Sequence, residues 1–530
     1  MTELDDPQVT IPDLLASHAR YFPDKEAVVC GSVRRTWGAF DRNQNRVAHA
    51  LRAAGLAHGD KVAVLMGNCV QMLEVVFGIV RAGGCAVPLS GLLTGPQLAA
   101  LINDSGARIV FATADFRAKV GAHRGDVPGV APGRWIAVDP AESASAPADP
   151  PNWLPFDAFV ASAPDTHPPV RHAQTDDFNI IYSSGTTGLP KGIVQTHRAR
   201  LHWAFSNAIE MGFRDTSRAL TTTSLYSNGT WLMMLPVLFA GGTLVAMPAF
   251  DTRGFLDLVA GEGITHTFMV PAQFIAVLGD PALDTTDTSS LQTILCAGSP
   301  LRRDTKRAVI ERFGPKLIEL YGFSEGFATM LKPHHPASKF DTVGTPVLGF
   351  EIRIVDDDGR ELPRGEVGEI AGYGAGMMKG YHGRPEETAK LVWRDERGRT
   401  FVRSGDVGRL DADGFLSIVD RKKDMIISGG FNVFPKDIEE IVAQHDAVLD
   451  VTVIGIPHDK WGETPIALVI RKPGATRSEA DIAAWANQRL AKHQRLAAVE
   501  FRTEFPRNAL GKVLKKDLRA SYWQTAGRTI

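Results

Sequence analysis

The alternation of short apolar segments with helix-length segments most constrains the fold of this chain. Residues 37–54 and 70–82 carry apolar side chains at helical spacing, whereas the apolar runs 61–66 and 86–89 fit buried strands. Strands separated by helices are joined by crossovers and lie parallel in one sheet. The sequence therefore predicts an α/β fold built on mainly parallel sheets. Residues 135–176 are rich in Pro, Ala and Asp, which predicts a surface connection.

A dense polar segment follows the next predicted strand. Residues 182–192 contain three glycines, four Ser or Thr hydroxyls and one lysine, Lys191. Glycine lets backbone N–H groups approach an anion, hydroxyls donate to phosphate oxygens, and lysine adds a positive charge. This composition favours a polyphosphate-binding loop over an ordinary surface loop. It is not a Walker A loop, because Pro190 rather than glycine precedes Lys191.

Charge and cysteine content argue against several classes of protein. The 530 residues carry a formal net charge of −2, which gives no reason to expect nucleic-acid or membrane-surface binding. No apolar run reaches the roughly 18 residues of a membrane span, and the acidic residues 1–6 do not resemble a secretory signal. The four cysteines show no metal or disulfide spacing, which predicts buried thiols and a cytoplasmic protein.

Residues 322–326 allow two interpretations. Their Gly-x-Ser-x-Gly pattern fits the nucleophile elbow of a serine hydrolase, with Ser324 as nucleophile and a downstream acid and histidine as partners. Pro333, however, leaves little room for the helix that an elbow requires. In the other interpretation Tyr321 stacks on adenine, the Ser324 hydroxyl donates to a phosphate and Glu325 holds Mg²⁺. We favour this one, because a hydrolase would leave residues 183–192 unexplained.

The two segments resemble signatures of the adenylate-forming superfamily, which contains acyl- and aryl-CoA synthetases, peptide-synthetase adenylation domains and beetle luciferases. Residues 183–192 resemble its phosphate loop, and residues 321–325 resemble its Tyr-Gly-x-Thr-Glu motif with Ser in place of Thr. Further similar segments follow in the expected order; they are residues 403–408, 420–424, 428–435 and 505–513. The resemblance covers nearly the whole chain.

The resemblance implies a large N-terminal α/β domain over residues 1–420, a hinge at 421–423 and a smaller mobile α+β cap over 424–530. Within the first domain, turn signals at 358–359 and 413–414 predict a small β-rich subdomain. The resemblance makes Lys423 the pivot of the cap. It also implies that Lys512 is the catalytic lysine of the terminal loop.

The resemblance assigns roles to further residues. The phosphate-binding residues are Ser183, Ser184, Gly185, Thr186, Thr187, Gly188 and Lys191; the adenine and ribose residues are Ala297, Gly298, Ser299, Tyr321, Gly322, Asp406 and Arg421. Glu325 and Thr187 are the metal residues, and Ser324, Glu325 and Lys512 the catalytic ones. The coenzyme A residues are Gly429, Gly430, Phe431 and Trp461; those of the acyl pocket are Tyr226, Ser227, Asn228, Phe268, Gly298 and Phe327.

Three positions depart from the superfamily pattern. Ser224 and Ser227 replace the Pro and His of a Pro-Leu-aromatic-His motif, and Asp420 replaces the Gly of the hinge motif. With Ser227 in place of the histidine, the resemblance does not indicate which residue borders the acyl carboxylate, and the smaller side chain suggests a larger pocket. Residues 226–228 also fit a plain turn before a helix. Trp461 is equally compatible with a packed core position.

The implied reaction has two steps and uses ATP, Mg²⁺ and coenzyme A. A carboxylate attacks the α-phosphate of ATP to give acyl-AMP and pyrophosphate, and the coenzyme A thiol then displaces AMP. Apolar Trp231, Phe268, Met269 and Phe327, with the small Ser227, suggest a medium-chain, branched or aromatic acid. Loading of a carrier protein by an acyl-AMP ligase or stand-alone adenylation domain stays open. So does the oligomeric state, for which a homodimer is one option.

Overall fold

The computed structural model describes residues 9–140, 152–183, 190–428, 431–507 and 511–525. The chain divides into two units. The N-terminal unit runs to His335 and includes Pro346–Glu351 and Tyr373–Lys390; the C-terminal unit comprises Pro336–Thr345, Ile352–Gly372 and the residues from Leu391 onward. This division groups most of the predicted β-rich subdomain with the C-terminal residues. The domain boundary at residue 420 and the hinge at 421–423 stay predictions.

The helices and strands are numbered in chain order. The helices are α1 (Ile11–Tyr21), α2 (Trp37–Ala53), α3 (Val70–Arg81), α4 (Gly95–Ser105), α5 (Ala114–Val120), α6 (Phe156–Val160), α7 (His197–Met211), α8 (Asn228–Phe239), α9 (Thr252–Gly261), α10 (Pro271–Leu278), α11 (Arg303–Phe313), α12 (Pro385–Ala389), α13 (Pro435–Val442), α14 (Glu479–Asn487) and α15 (Lys515–Thr525), with short 3₁₀ helices at Gly121–Asp126, Pro281–Asp284, Ala337–Lys339 and Lys492–Gln494.

The strands are β1 (Glu26–Cys30), β2 (Val33–Thr36), β3 (Lys61–Leu65), β4 (Cys85–Pro88), β5 (Ile109–Ala112), β6 (Trp135–Ala137), β7 (Leu154–Pro155), β8 (Asp177–Tyr182), β9 (Gly192–Thr196), β10 (Arg218–Thr221), β11 (Thr243–Ala246), β12 (His266–Met269), β13 (Thr293–Cys296), β14 (Leu317–Gly322), β15 (Ala328–Leu331), β16 (Thr345–Pro346), β17 (Phe350–Val355), β18 (Gly368–Gly374), β19 (Gly380–Tyr381), β20 (Val392–Arg394), β21 (Thr400–Leu410), β22 (Leu416–Arg421), β23 (Ile426–Ser428), β24 (Phe431–Val433), β25 (Val448–His458), β26 (Gly462–Arg471) and β27 (Ala498–Phe501).

Two mainly parallel sheets organise the N-terminal unit. One has the order β16-β15-β14-β13-β12-β10-β11-β1-β2, and the other has the order β19-β9-β8-β4-β3-β5-β6-β7. The strands from β14 to β1 in the first sheet and from β8 to β7 in the second are parallel, as the alternation of strands and helices predicts. Central strands such as β5 are buried along their whole length, because helices cover both faces of such sheets. The predicted α/β fold is confirmed.

Local sequence explains how α7, which positions several site residues, begins and ends. The Thr196 hydroxyl accepts a hydrogen bond from the N–H of Ala199 and caps the helix N-terminus. The helix ends at Gly212, which has φ +73°, a left-handed conformation that glycine adopts without steric cost.

The C-terminal unit contains two smaller sheets. Strands β17, β18, β20, β21 and β22 form a sheet, in which β21 and β22 are an antiparallel hairpin across the predicted turn at 413–414. The second sheet has the order β24-β23-β26-β25, with β27 parallel to β26, and it packs with α13 and α14 around a core that includes Ile438, Val453 and Ile482. The β-rich segment and the α+β character of the C-terminal residues are therefore confirmed.

The prediction of a surface connection over 135–176 is wrong in part. Trp135–Ala137 forms the buried strand β6, and Trp135 packs edge-on against Trp153 with ring centroids 5.4 Å apart. A strand of three residues between prolines is too short to produce a clear period of two. The predicted buried thiols are confirmed, since all four cysteines are buried. None of the helices in the described ranges combines the length and apolar composition that crossing a membrane requires.

Candidate active site

Most of the predicted site residues that the structure describes in the N-terminal unit lie beyond the carboxyl ends of parallel strands. Lys191 belongs to the connection after β8, Tyr226–Asn228 follow β10, Ala297–Ser299 follow β13, and Ser324 and Glu325 follow β14. Ligands of open α/β sheets bind at this edge. The sheet topology therefore gathers residues that are far apart in sequence.

The predicted phosphate loop is the connection of an antiparallel hairpin between β8 and β9. Tyr182 pairs with Gly192 at its base. The N–H of Ser183 donates to the Lys191 carbonyl at 2.9 Å, and the N–H of Lys191 donates to Ser183 Oγ at 3.3 Å. The hairpin fixes both ends of the loop; Ser184, Gly185, Thr186, Thr187 and Gly188 lie outside the described residues.

Lys191 already has an acidic partner. Its Nζ lies 2.7 Å from Glu387 Oε2 and 4.9 Å from the centroid of the Tyr381 ring. Hydrogen bonds and charge from Lys191 and Lys390 lower the pKa of Glu387 to about 2, so its carboxylate is ionised at neutral pH. Sequence reasoning missed Glu387, because it lies 196 residues from Lys191 on α12.

Ser324 and Glu325 lie at the tip of the hairpin between β14 and β15. Gly322 pairs with Ala328 in the antiparallel ladder, so the chain turns back within five residues. A nucleophile elbow instead places its serine between a strand and a helix. Among the described residues, no histidine forms a hydrogen bond with Ser324, whose Oγ accepts a hydrogen bond from Asn228 Nδ2 at 3.2 Å. The hydrolase interpretation therefore does not fit this geometry.

Neighbouring segments hold the tip of this hairpin in place. Tyr381 Oη donates to Glu325 Oε1 at 2.7 Å, and the N–H of Met378 donates to the Glu325 carbonyl at 2.9 Å. Gln195 Nε2 donates to the Ser324 carbonyl at 2.9 Å. Burial and the Glu325 carboxylate raise the pKa of Tyr381, which keeps this phenol protonated as a donor. These contacts fix the orientation of the Glu325 carboxylate before any substrate binds.

The residues around Glu325 fit the Mg²⁺ that the resemblance implies. Mg²⁺ is usually bound by one or two carboxylates together with substrate phosphates and water. The part of the chain that the structure describes contains no group of three His, Cys, Asp or Glu that could hold a metal alone. A single oriented carboxylate therefore suits a metal ion that enters with the phosphates of a nucleotide.

The acyl-pocket residues after β10 join a buried polar network that sequence reasoning missed. Arg200 is 3% exposed. Its Nε donates to Asn179 Oδ1 at 2.7 Å and its Nη2 donates to Asn228 Oδ1 at 2.9 Å, while its guanidinium lies 4.5 Å from the Trp231 ring centroid. Burial lowers the pKa of Arg200 to about 9. Asn228 thus connects the Arg200 guanidinium to Ser324. The sequence signal for this network is Arg200 itself, a charged residue on the buried face of α7.

The apolar residues predicted for the acyl pocket are tightly buried. Phe268, Met269 and Phe327 are each 0% exposed, and Trp231 is 2% exposed. The Phe327 ring lies edge-on to the rings of Phe323 and Tyr321, and the ring centroids are 4.9 Å and 6.4 Å apart, respectively. Tyr226 and Ser227 are half-buried, and the Ser227 side chain forms no capping hydrogen bond with α8.

The predicted adenine residues lie at the end of β13. Gly298 is exposed and has φ +97°, and it lies between buried Ala297 and half-buried Ser299. This conformation favours glycine and turns the backbone sharply at the edge of the sheet. A Cβ on Gly322 would lie 2.8 Å from the Phe327 carbonyl oxygen, so Gly322 is required by the hairpin itself.

In the C-terminal unit, the structure pairs the two predicted ribose residues. Asp406 on β21 is opposite Arg421 on β22, and Arg421 Nε lies 3.2 Å from Asp406 Oδ1. Asp406 is 6% exposed. Asp406 and Arg421, which are 15 positions apart in sequence, therefore form an ion pair between neighbouring strands.

The residues around the predicted hinge are held by the C-terminal helix. Arg519 on α15 donates to the carbonyls of Lys423 and Asp424, each at 3.1 Å. Asp420, which replaces the superfamily glycine, accepts from the N–H of Arg421 at 2.7 Å and from the N–H of Lys436 at 3.0 Å. The second contact satisfies a donor in the first turn of α13, which gives this replacement a structural role.

Lys512 directly precedes Val513, which forms an antiparallel bridge with Arg507. Burial is the largest cause of a lowered Lys512 pKa of about 7, followed by the positive charge of Arg421. Opposing contributions come from the carboxylates of Asp406 and Asp424. The charges of Asp406 and Arg421, the predicted ribose residues, therefore act on Lys512, the predicted catalytic lysine.

Two of the predicted coenzyme A residues are exposed aromatics. Phe431 is 60% exposed and stacks on His493 with centroids 5.4 Å apart, and Trp461 is 46% exposed in the turn between β25 and β26. The exposure of Trp461 excludes the core alternative. Gly429 and Gly430 lie outside the described residues.

Comparison with known proteins places these motifs in context. The family described as AMP-binding enzyme matches residues 15–382, and the AMP-binding enzyme C-terminal domain matches residues 437–512. A feruloyl-CoA synthase of Amycolatopsis sp is 34% identical over 95% of this chain and 97% of its own. The fatty acid–[acyl-carrier-protein] ligase ScoC of Streptomyces coeruleorubidus is 33% identical over 100% of both chains. The crystal structure of ATP-bound MatB from Rhodopseudomonas palustris is 29% identical, covers 97% of this chain and 99% of its own, and has a TM-score of 0.86.

Proposed function

Because the chain belongs to the AMP-binding enzyme family and is an AMP-forming acid–thiol ligase, we propose that it converts an aromatic carboxylic acid into its coenzyme A thioester. The observation that supports the proposal is that Tyr381 contacts both predicted motifs: its hydroxyl donates to Glu325 at 2.7 Å, and its ring centroid lies 4.9 Å from Nζ of Lys191. The similar feruloyl-CoA synthase favours an aromatic acid within the predicted range of medium-chain, branched and aromatic acids.

In the proposed first step, a carboxylate oxygen attacks the α-phosphorus of ATP. The new P–O bond gives acyl-AMP, and the bond to the bridging oxygen of pyrophosphate breaks. Lys191 exchanges Glu387 for the β- and γ-phosphates, and the Ser324 hydroxyl donates to a phosphate oxygen. Bound Mg²⁺, held by Glu325 and Thr187, would supply charge neutralisation between phosphates. Lys512 neutralises charge between the carboxylate and the α-phosphate, so positioning and electrostatics provide most of the catalysis.

In the proposed second step, the coenzyme A thiol releases its proton to water and its sulfur attacks the acyl carbonyl. The C–S bond forms, the acyl C–O bond to phosphate breaks, and AMP leaves. Asp406 and Arg421 hold the ribose, and exposed Phe431 and Trp461 contact the coenzyme. Rotation about Lys423 removes Lys512 and admits the thiol.

Carboxylate-dependent ATP–pyrophosphate exchange tests the proposal. We would assay cinnamate-type, benzoate-type, medium-chain and branched acids, first without and then with coenzyme A. We expect the highest kcat/KM with an aromatic acid, and thioester formation once coenzyme A is added. A fatty acid preferred over every aromatic acid contradicts the substrate class, and exchange without thioester contradicts the acceptor.

A second candidate acceptor is the phosphopantetheine thiol of a carrier protein. The full-length similarity to the carrier-protein ligase ScoC favours it. Coenzyme A and a loaded carrier protein both carry a phosphopantetheine thiol, which is attached to a nucleotide in the first and to a protein in the second. Adding coenzyme A or a loaded carrier protein in parallel, with the acid found in the exchange assay, distinguishes them by which thioester accumulates.

A further inference from the structure

A second polar cavity lies at the opposite edge of the sheet that carries the phosphate loop. It has a volume of about 320 Å³ and is lined by residues at the amino ends of parallel strands, including Lys61 of β3 and Asp177 of β8. At about 3.3 Å per residue, the length of β8 separates it from the base of the phosphate loop by about 17 Å. The cavity is therefore separate from the base of the predicted phosphate loop.

Three histidines line this cavity, and two of them carry ring nitrogens without a hydrogen-bond partner among the described residues. His172 and His197 stack with ring centroids 5.0 Å apart. Among the described residues, neither ring nitrogen of His172 has a hydrogen-bond partner, nor does Nδ1 of His197, although His197 is only 2% exposed. Unpaired buried polar groups are costly and uncommon. A binding partner that enters the cavity would satisfy them.

Among the described residues, the cavity is lined by two lysines and two aspartates, and one of the lysines has no ion pair. Asp177 pairs with Lys379 at 2.7 Å, and Asp176 pairs with the third histidine, His58, at 2.9 Å. Lys61 has no ion pair with any described residue. The Lys61 ammonium group and the unpaired imidazole nitrogens line the same cavity, and together such donors suit an anion with several acceptor oxygens.

We propose that this cavity is a second binding site, which takes a small oxyanion-bearing molecule at Lys61, His172 and His197. Burial lowers the pKa of His172, and it lowers that of His197 to about 3. Each ring is then neutral near pH 7 and carries one N–H for donation. The described residues include no trio of potential ligands spaced to hold a metal ion, which disfavours a metal site. The volume leaves room for a group attached to the anion.

The test is histidine NMR on the full chain. Protein carrying Lys191→Met, which weakens anion binding at the phosphate loop, is labelled with ¹³C at histidine Cε1 and titrated with inorganic phosphate or with acetate. The His172 and His197 signals are assigned with His172→Gln and His197→Gln. We expect saturable shifts of both signals with phosphate, acetate or both; the two titrations identify the kind of oxyanion. Lys61→Met should weaken binding at least tenfold, whereas Lys61→Arg, which keeps the charge, should weaken it less than threefold.

Two outcomes would overturn the proposal. Shifts that grow linearly and equally with chloride at matched ionic strength indicate screening rather than a site. Saturable shifts that survive Lys61→Met place the anion elsewhere. Unchanged positions for the other histidine signals in Lys61→Met establish that this variant is folded, so a loss of binding can be assigned to the missing ammonium group.

Discussion

At the scale of single residues, Lys512 should set the pH dependence of adenylation. Its pKa is lowered to about 7, so the protonated form that can neutralise phosphate is lost as the pH rises through that value. We expect kcat/KM for ATP–pyrophosphate exchange to decrease above about pH 7, because kcat/KM reports groups of the free enzyme. Initial rates at subsaturating ATP from about pH 6 to about pH 9 measure this decrease.

Lys512→Arg is the matched control for this pH dependence, since an arginine stays protonated throughout that range. Its rate should be lower but flat above pH 7. A decrease that persists unchanged in Lys512→Arg assigns the titration to another group. Lys512→Ala should also keep thioester formation from supplied acyl-AMP; an equal loss in both half-reactions contradicts a role confined to adenylation.

Tyr381 is predicted to act as a positioning residue for the metal carboxylate. Tyr381→Phe removes the hydroxyl that donates to Glu325 at 2.7 Å and leaves the carboxylate free to rotate. We expect the Mg²⁺ concentration for half-maximal exchange to rise about tenfold, the usual cost of losing a partner of a metal ligand. Glu325→Gln, which loses the charge, should lose most of the activity. A changed kcat with an unchanged Mg²⁺ requirement contradicts this role for Tyr381.

Sequence alone proposed residues for the chemistry but did not indicate the residues that contact them. Glu325 and Lys191 are recognisable because their local motifs are dense in glycine and hydroxyl groups. Tyr381 and Glu387 follow no such signal, because their contacts arise when β19 pairs with β9, far away in the chain. A partner 56 or 196 residues away leaves no trace in a local pattern.

At the scale of elements, α7, α8 and the β14–β15 hairpin are connected by Arg200 and Asn228. Replacing Arg200 by Met removes a buried cation whose hydrogen bonds go only to amides, so the free energy of unfolding should change by less than about 2 kcal/mol. Asn228, however, loses the donor that orients it toward Ser324. We expect KM for the acid to rise about tenfold in the exchange assay, with KM for ATP little changed.

A double-mutant cycle with Asn228→Ala tests whether Arg200 acts through Asn228. The combined variant should be no worse than Asn228→Ala alone, because residues of one network are not additive. Additive effects contradict the connection. Thermal unfolding of each variant separates a loss of positioning from a loss of fold.

The elements also differ in how well sequence predicted them. The buried strand β3 and amphipathic helices such as α2 were placed within a residue or two, because their apolar patterns are regular. The short strand β6 was missed, since Trp135–Ala137 offers only three residues between prolines. Its stability comes from parallel pairing with β5 and from packing against Trp153, which are tertiary contacts.

At the scale of the whole molecule, sequence predicted the fold class, and the domain boundary that it placed at residue 420 stays a prediction. The order of motifs placed the boundary at residue 420, whereas contacts group β17, β18 and β20–β22 with the C-terminal sheet. The β21–β22 hairpin ends directly at Arg421, so the predicted hinge continues a strand of this unit. The unit to which a strand belongs is decided by its pairing with other strands of the sheet. Local sequence patterns do not show that pairing, because the partners can be distant in sequence.

The last prediction concerns the predicted pivot. Lys423→Pro fixes φ near −65° at that residue and so restricts rotation about it. If rotation at Lys423 is needed only for thioester formation, the variant should keep ATP–pyrophosphate exchange within about threefold and lose at least about tenfold in thioester formation from supplied acyl-AMP. Lys423→Ala removes the side chain but leaves the backbone free, and it should retain both half-reactions. Equal losses in both half-reactions of Lys423→Pro, or the same selective loss in Lys423→Ala, contradict a backbone pivot at this residue.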